Sequence, residues 1–243
     1  MRNQGFTVTA ALAAVLMMFG AGANAASIII DDFTLPVGNQ IVTVTGTGNL
    51  SNTVIGLPTA DTIGGTRKLA VTVGTSTFGG SSYLNVNHTS GSLSASNGSG
   101  NTATMVVTWD NDGAGLGGVD ITLGGFSPYL QAHVLASDLG MTFSVAITET
   151  AAGGGDTATW SAPNLGTGAY INQALSSFTN AGNVDFHHVD RIVMTLTGAS
   201  ASDSTLGLVE VTSTPYVPEP ATLTLLGTGI FGAIGVYRRR RTK

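Results

Sequence analysis

Alternation of apolar and polar residues dominates residues 26–216 and restricts the fold of the chain more than any other feature. Met141, Phe143, Val145 and Ile147, for example, occupy every second position of one short segment. Successive side chains of a β-strand point to opposite faces of its sheet, so this spacing predicts a strand with one buried face. Gly, Asn, Asp and Ser, which supply turn geometry, separate this segment from others like it.

Twelve segments of this kind predict a β-rich fold. The predicted strands are 27–35, 40–47, 68–73, 82–88, 91–96, 102–109, 119–123, 129–136, 141–148, 156–161, 189–197 and 205–212. So many short strands with regular turns indicate an all-β protein, built as a single antiparallel β-sandwich of jelly-roll type over residues 26–212. A solenoid is the alternative, but the sequence has no repeat of the required length. Residues 170–178 fit either a helix or an extended loop.

The charge of residues 26–216 excludes one class of partner. This part of the chain holds three basic residues, Arg67, Lys68 and Arg191, and thirteen acidic ones, so its net charge is −10, compared with −5 for the whole chain. Phosphate groups repel such an acidic domain, so we exclude nucleic acid as a partner. The chain has no cysteine, which excludes disulfide bonds and thiol chemistry.

The N-terminus has the features of a secretory signal peptide. A basic start at Arg2 precedes an apolar stretch over residues 10–19, and Ala23 and Ala25 form an A-x-A cleavage site. We predict that signal peptidase cleaves after Ala25. Residues 1–25, the signal helix, are then absent from the mature protein.

The C-terminus has the length and charge distribution of a membrane anchor. Residues 221–237 contain no charged side chain, and these seventeen residues form about 25 Å of helix, slightly less than the thickness of a bilayer core. Pro218 and Pro220 mark the start of this predicted transmembrane helix, and a basic stop over residues 238–243 ends it. The stop contains Arg238, Arg239, Arg240 and Arg241. Because basic residues stay cytoplasmic, the body of the protein is predicted on the opposite side of the membrane.

Residues 213–243 resemble the PEP-CTERM sorting tail of exported bacterial proteins. The resemblance rests on Val217, Pro218, Glu219 and Pro220, followed by the apolar segment and the arginines. It implies an exosortase-type membrane protease as a partner and processing near this motif, often in bacteria that make exopolysaccharide. The implied precursor is anchored in the inner membrane with its body in the periplasm. The implied product reaches the cell surface or the extracellular matrix.

A second resemblance concerns the body of the protein. Residues 189–196 and 206–210 are similar to the closing strand pair of galactose-binding-like jelly rolls. Residues 30–33 are similar to the opening of some carbohydrate-binding modules of that fold. This resemblance implies a sandwich and suggests sugar as its ligand.

Aromatic residues are the candidates for stacking on sugar rings. The candidates are Trp109, Trp160, Tyr83, Tyr129 and Tyr170. Trp109 lies inside an apolar segment and is assigned to the core, whereas Trp160 follows a glycine-rich turn and is the predicted ligand platform. The sequence has no Gly-x-Ser-x-Gly elbow and nothing that specifically supports a catalytic carboxylate pair. We therefore predict a non-catalytic structural or adhesive protein that binds glycan such as exopolysaccharide, with a secreted polysaccharide hydrolase as the alternative.

Two acidic groups are candidate calcium ligands, because Ca²⁺ needs several converging oxygen atoms. Asp110 and Asp112 lie in a loop after a predicted strand, where the same residues also suit a plain turn. Asp31, Asp32 and Glu210 lie on the first and last predicted strands, which often run near each other in jelly rolls. The alternative for Asp31 and Asp32 is that they are solvated or cap turns. Ca²⁺ is the only cofactor that the sequence suggests.

Overall fold

The computed structural model describes residues 26–34, 38–124, 128–138, 140–163 and 166–213 of the chain. These residues form thirteen β-strands and three short 3₁₀ helices. The strands are β1 (Ser27–Asp31), β2 (Gln40–Thr45), β3 (Gly48–Ile55), β4 (Thr66–Ser76), β5 (Ser81–Asn87), β6 (Ser92–Ser96), β7 (Asn101–Trp109), β8 (Tyr129–Ser137), β9 (Thr142–Glu149), β10 (Thr157–Ala162), β11 (Tyr170–Ala174), β12 (Val189–Gly198) and β13 (Asp203–Thr212). The 3₁₀ helices are Ile63–Gly65, Leu175–Ser177 and Ala181–Asn183.

The strands form two sheets that pack against each other. The first sheet has seven strands in the order β11-β8-β13-β6-β5-β2, with β1 added beside β13. The first part of β13 pairs with β6 and its last part pairs with β1, while β8 runs along its other side. The second sheet has six strands in the order β10-β9-β12-β7-β4-β3. Every pairing between these strands is antiparallel, so the predicted antiparallel β-sandwich is confirmed.

The core lies between the inward faces of the two sheets. Alternate residues of each strand are buried, for example Leu69 and Val71 on β4 and Leu84 and Val86 on β5. Each side chain of this size stabilises the fold by about 1.5–3 kcal/mol when it is fully buried. The buried apolar residues of both sheets form one continuous cluster, and it includes Trp109, as predicted.

A buried polar network joins β1 of the first sheet to the second sheet. Nη1 of Arg67 donates to Oδ1 of Asp31 at 2.7 Å and to Oδ2 at 2.9 Å, and the indole Nε1 of Trp109 donates to Oδ2 at 2.8 Å. Nε of Arg67 donates to Oε1 of Gln40 at 2.9 Å. Burial raises the pKa of Asp31, and the charge of Arg67 counteracts that effect. Because buried charges are costly without partners, these contacts identify Asp31 as a structural residue.

Three segments differ from the predicted elements. Strand β3 is not among the predicted strands, and residues 170–174 form strand β11. Residues 119–123 do not form the predicted strand, since only Val119 makes an isolated bridge, with Val189. The side chain of Asp120 accepts a hydrogen bond from the backbone of Thr122, and Leu123 has a φ of 54°, so the chain turns where the alternation predicts extension.

The first and last described residues of the chain lie side by side. Ser27 on β1 pairs with Thr212 on β13, and the backbone N–H of Ser213 donates to the carbonyl oxygen of Ala26 at 3.0 Å. The predicted signal peptide, with Ala23 and Ala25, and the predicted tail from residue 214 onward lie outside the described residues. Within the described ranges, no helix has the length and apolar character needed to cross a membrane.

Candidate ligand-binding site

The outward face of the first sheet carries an aromatic pair at its β8–β11 edge. Ile171 is buried in the core, so its neighbours Tyr170 and Asn172 point to the outer face. On β8, Gln131 and His133 alternate with core residues and share that face. The register places Tyr170 opposite His133, and their rings are parallel, with centroids 4.2 Å apart and an interplanar angle of 2°.

A polar row crosses three strands beside the aromatic pair. Gln131 lies opposite Asn172 on β11 and opposite Glu210 on β13. Nε2 of Gln131 donates to Oδ1 of Asn172 at 2.5 Å. We call Gln131, His133, Tyr170, Asn172 and Glu210 the Tyr170 patch. Gln131 is buried and holds the amide of Asn172. The Asn172 amide and the Glu210 carboxylate can bind hydroxyl groups, and aromatic rings can contact the apolar C–H face of a sugar ring.

Glu210 is the charged member of the Tyr170 patch. Burial raises the pKa of Glu210 above its ordinary value of 4.5, and a hydrogen bond with Ser27 on β1 acts in the opposite direction. An ionised carboxylate that is half-buried is stabilised by each hydrogen bond that it accepts. A ligand hydroxyl group that donates to Glu210 would therefore stabilise the ionised side chain.

Because Gly207 has no side chain, the backbone of β13 is uncovered beside the patch. The register between β13 and β8 shifts between Leu206 and Val209, on either side of this glycine. A Cβ at Gly207 would lie 3.6 Å from Cγ of Leu135 and 3.8 Å from Cβ of His133. Leu135, which is 40% exposed, therefore lies over bare backbone and gives the patch an apolar border.

Trp160, the predicted ligand platform, lies partly buried on β10. It lies opposite Val145 in the β9–β10 pair and shares the inward face of β10 with Ala158. Its ring packs edge-on against Phe143, with centroids 6.2 Å apart, and lies 6.3 Å from the ring of Phe178. Trp160 also borders a shallow pocket, together with hydroxyl-bearing residues of β9, β10 and β12. Trp160 thus packs at the edge of the core, and its role as a ligand platform stays a prediction.

Asp110 and Asp112 lie in a turn that glycine residues shape. Oδ1 of Asp110 accepts a hydrogen bond from Gly113 N at 3.0 Å, and its carbonyl oxygen accepts one from Gly115 N at 2.8 Å. Asp112 has a φ of 54°, and a Cβ at Gly115 would overlap the carboxylate of Asp190. The turn interpretation is therefore confirmed, while calcium binding by this loop stays a prediction.

The structure does not bring Asp31, Asp32 and Glu210, the second group of candidate calcium ligands, together in one cluster. The carboxylate of Asp31 already binds the guanidinium of Arg67. Oδ1 of Asp32 accepts from the N–H and the hydroxyl of Thr34, at 2.9 and 2.7 Å, and so caps a turn. In the part of the chain that the structure describes, no three His, Cys, Asp or Glu side chains are arranged to hold a metal ion. The cation that neutralises Asp31 is Arg67.

The sequence identifies only part of the Tyr170 patch. Tyr170 is among the aromatic candidates, but the helix-or-loop interpretation of its segment hides Asn172 and the strand pairing with β8. Gln131 and His133 alternate with Ala132 and Val134 on a predicted strand. That alternation is the signal that assigns both to the outward face of the sheet.

The described residues resemble carbohydrate-binding modules among solved structures. The family 11 module of the cellulosomal cellulase Lic26A-Cel5E of Clostridium thermocellum is 11% identical, with 82% of this chain and 99% of that chain covered and a TM-score of 0.39. The family 30 module of the cellulosomal cellulase Cel9D-Cel44B of the same organism is 14% identical, with coverages of 76% and 96% and a TM-score of 0.39. An exo-β-agarase is 10% identical, with coverages of 79% and 25% and a TM-score of 0.41. At these values the similarity is no evidence of a shared ligand.

The tail matches a family model. No curated protein matches the chain. The model for the PEP-CTERM protein-sorting motif matches residues 217–241, which contain Val217, Pro218, Glu219, Pro220 and the four arginines. The match confirms the resemblance of the tail to PEP-CTERM sorting signals. It covers about a tenth of the chain. The chain therefore carries a PEP-CTERM protein-sorting motif at its C-terminal end.

Proposed function

We propose that this protein is exported, held in the inner membrane by residues 221–237, and then processed by an exosortase-type protease near Pro218-Glu219-Pro220. The match of the sorting-motif model to residues 217–241 carries this proposal. Signal peptidase removes residues 1–25 on the way. The body faces the periplasm while it is anchored, and the processed protein reaches the cell surface or the extracellular matrix.

The pairing of Ser27 with Thr212 supports an orientation for the anchored body. The new N-terminus and the linker to the tail leave the sandwich at one place, so this end lies toward the membrane. The opposite end of the sandwich extends into the periplasm.

The body of the protein is a jelly-roll sandwich that binds glycan without cleaving it. The Tyr170 patch supports this part of the proposal, because it combines stacked rings, paired amides and a carboxylate on an outward sheet face. Exopolysaccharide made by the same cell is the proposed ligand. Glycoside hydrolysis generally needs two carboxylates across the scissile bond, and the patch has one, Glu210.

Fractionation of cells tests the sorting proposal. Deletion of residues 217–243 is expected to move the protein from the membrane fraction to the soluble periplasm or the medium. The full chain, which keeps the apolar segment and its arginines, is the control. A truncated protein that stays with the membrane as before contradicts the anchoring role of the tail.

Affinity electrophoresis in gels that contain the host exopolysaccharide tests the binding proposal. We expect the mature protein to be retarded in these gels and not in gels with an unrelated charged polymer. An assay for reducing ends runs in parallel on the same polysaccharide. Release of reducing ends contradicts the non-catalytic assignment and favours a secreted polysaccharide hydrolase.

A further inference from the structure

β3 forms one edge of the second sheet, and its exposed side chains lie on both faces. It pairs with β4 over eight positions, from Gly48 opposite Val73 to Ile55 opposite Thr66, without a bulge. Six of its eight residues are exposed, including Leu50 at 55% and Ile55 at 69%. An exposed edge strand of this length without a bulge presents a row of backbone N–H and C=O groups that another strand can bind.

The opposite edge of the same sheet is closed by the chain itself. Thr159 on β10 exchanges two backbone hydrogen bonds with Thr179, at 3.0 and 2.8 Å. Nδ2 of Asn180 donates to the carbonyl oxygen of Thr157 at 3.1 Å. On β3, the described side chains supply one comparable contact, from Nε2 of Gln40 to the carbonyl oxygen of Asn52 at 3.0 Å. The two edges of this sheet are therefore protected unequally.

The distribution of charge near β3 favours contact with a second copy of this chain. Natural edge strands are commonly protected by charged side chains, proline or bulges, and β3 has none of these. The neighbouring strands β2 and β4 contain no Asp or Glu, and Lys68 on β4 lies exposed opposite Thr53. Residues 26–216 carry a net charge of −10, so two copies repel each other over most of their surfaces. The β3 edge lacks this repulsion, because β2, β3 and β4 contain no acidic residue.

We propose that β3 pairs with β3 of a second copy of this chain. Antiparallel pairing about a two-fold axis uses the same edge on both copies, joins two six-stranded sheets and closes without further growth. It satisfies the backbone groups of both edges and covers Leu50 and Ile55 in part. The Tyr170 patch lies on the other sheet, so each copy keeps its own patch and the dimer presents two. This inference does not depend on glycan binding.

Cysteine cross-linking tests the proposed dimer in the full-length protein, because the chain contains no cysteine of its own. Ser51→Cys places one thiol on β3, and Ser161→Cys places one on β10, where the edge is closed. Cells that export each variant are treated with a bis-maleimide cross-linker and analysed by denaturing electrophoresis. Asn49→Cys is a second probe on β3, in case Ser51→Cys is not exported.

We expect a covalent species of twice the subunit mass with Ser51→Cys and Asn49→Cys, and only monomer with Ser161→Cys. Adding Asn52→Lys to Ser51→Cys should remove the dimer, since it brings two like charges together across the axis, whereas adding Ser161→Lys should leave it. Monomer alone with both β3 probes overturns the proposal. So does an adduct of any other mass, or equal dimer formation by the β10 probe.

Discussion

Nη1 of Arg67 lies 2.7 Å from Oδ1 of Asp31, and both side chains are fully shielded from solvent. The guanidinium also lies 5.7 Å from the ring centroid of Phe33. Because Asp31 belongs to β1 and Arg67 to β4, this ion pair holds the first strand against the opposite sheet. The strand that follows the predicted signal peptide is thus fixed by a buried charge pair as well as by its pairing with β13.

Removing one charge of this pair should destabilise the protein strongly. We expect Arg67→Met to lower the free energy of unfolding by about 3–5 kcal/mol, because it leaves the carboxylate of Asp31 buried without its cation. Lys68→Met, at an exposed neighbouring position of the same strand, is the matched control and should change it by less than about 0.5 kcal/mol. Urea unfolding of the mature protein measures both. Equal effects of the two substitutions would contradict the structural role of the pair.

Burial of Glu210 should make the stability of the folded protein depend on pH. Its pKa in the folded protein is raised by burial, so the folded protein favours protonated Glu210, and this contribution to stability is lost as the pH rises through that pKa. Glu210→Gln should therefore raise the melting temperature at neutral pH. The gain should vanish below the ordinary pKa of 4.5, where Glu210 is protonated in both the folded and the unfolded chain.

A charge-matched variant provides the reference for the Glu210 measurement. Asp203→Asn removes one negative charge from the exposed start of the same strand, β13. The gain of Glu210→Gln at neutral pH is measured against this variant by thermal denaturation. A gain that persists unchanged in acid would show that burial of the charge at Glu210 is not its cause.

Two glycines of the 110–118 turn allow a matched test of its packing. Gly113 and Gly115 have φ values of 85° and 86°, but only a Cβ at Gly115 meets a neighbour, the carboxylate of Asp190. We expect Gly113→Ala to cost about 1–2 kcal/mol from backbone strain alone, and Gly115→Ala to cost more, because the carboxylate of Asp190 must also move. Chemical denaturation measures the difference. Equal costs would mean that the turn does not pack against Asp190 as described.

The Tyr170 patch predicts that glycan binding depends on an aromatic ring. Tyr170→Ala should weaken binding about tenfold, the equivalent of 1.4 kcal/mol, since it removes one of the two stacked rings. Phe78→Ala removes a ring that is 77% exposed outside the patch and should leave binding unchanged. Titration calorimetry with oligosaccharides from the host polysaccharide measures both. Equal affinity of Tyr170→Ala and the unaltered protein would show that the Tyr170 patch does not bind the glycan.

Alternation of apolar and polar residues correctly predicts the strands that bury one face. It fails for segments in which burial does not alternate from residue to residue. Residues 141–148 have apolar side chains at every second position, and β9 lies there with that face in the core. β3 contains glycine and two asparagines and is exposed on both faces, so no alternation marks it. Residues 119–123 do alternate, but Asp120 caps a turn there, and local hydrogen bonding overrides the strand propensity.

The candidate site is harder to predict than the fold, because its members come from three strands that are distant in sequence. Glu210 and Gln131 meet only through the pairing of β13 with β8. Sequence patterns give which face a side chain occupies, but they do not give which strands are neighbours. The same limit explains the calcium prediction for Asp31, whose actual partner is the buried Arg67, 36 residues away.

The intact mass of the mature protein, isolated from cell envelope and from medium, tests the central claim most directly. We expect a chain that begins at Ala26 and ends near Pro218-Glu219-Pro220, without the apolar segment or the arginines. The same protein from cells that lack the exosortase-type protease should keep residues 221–243. A mature chain that retains its C-terminal residues at the cell surface or in the medium would contradict processing at the sorting motif.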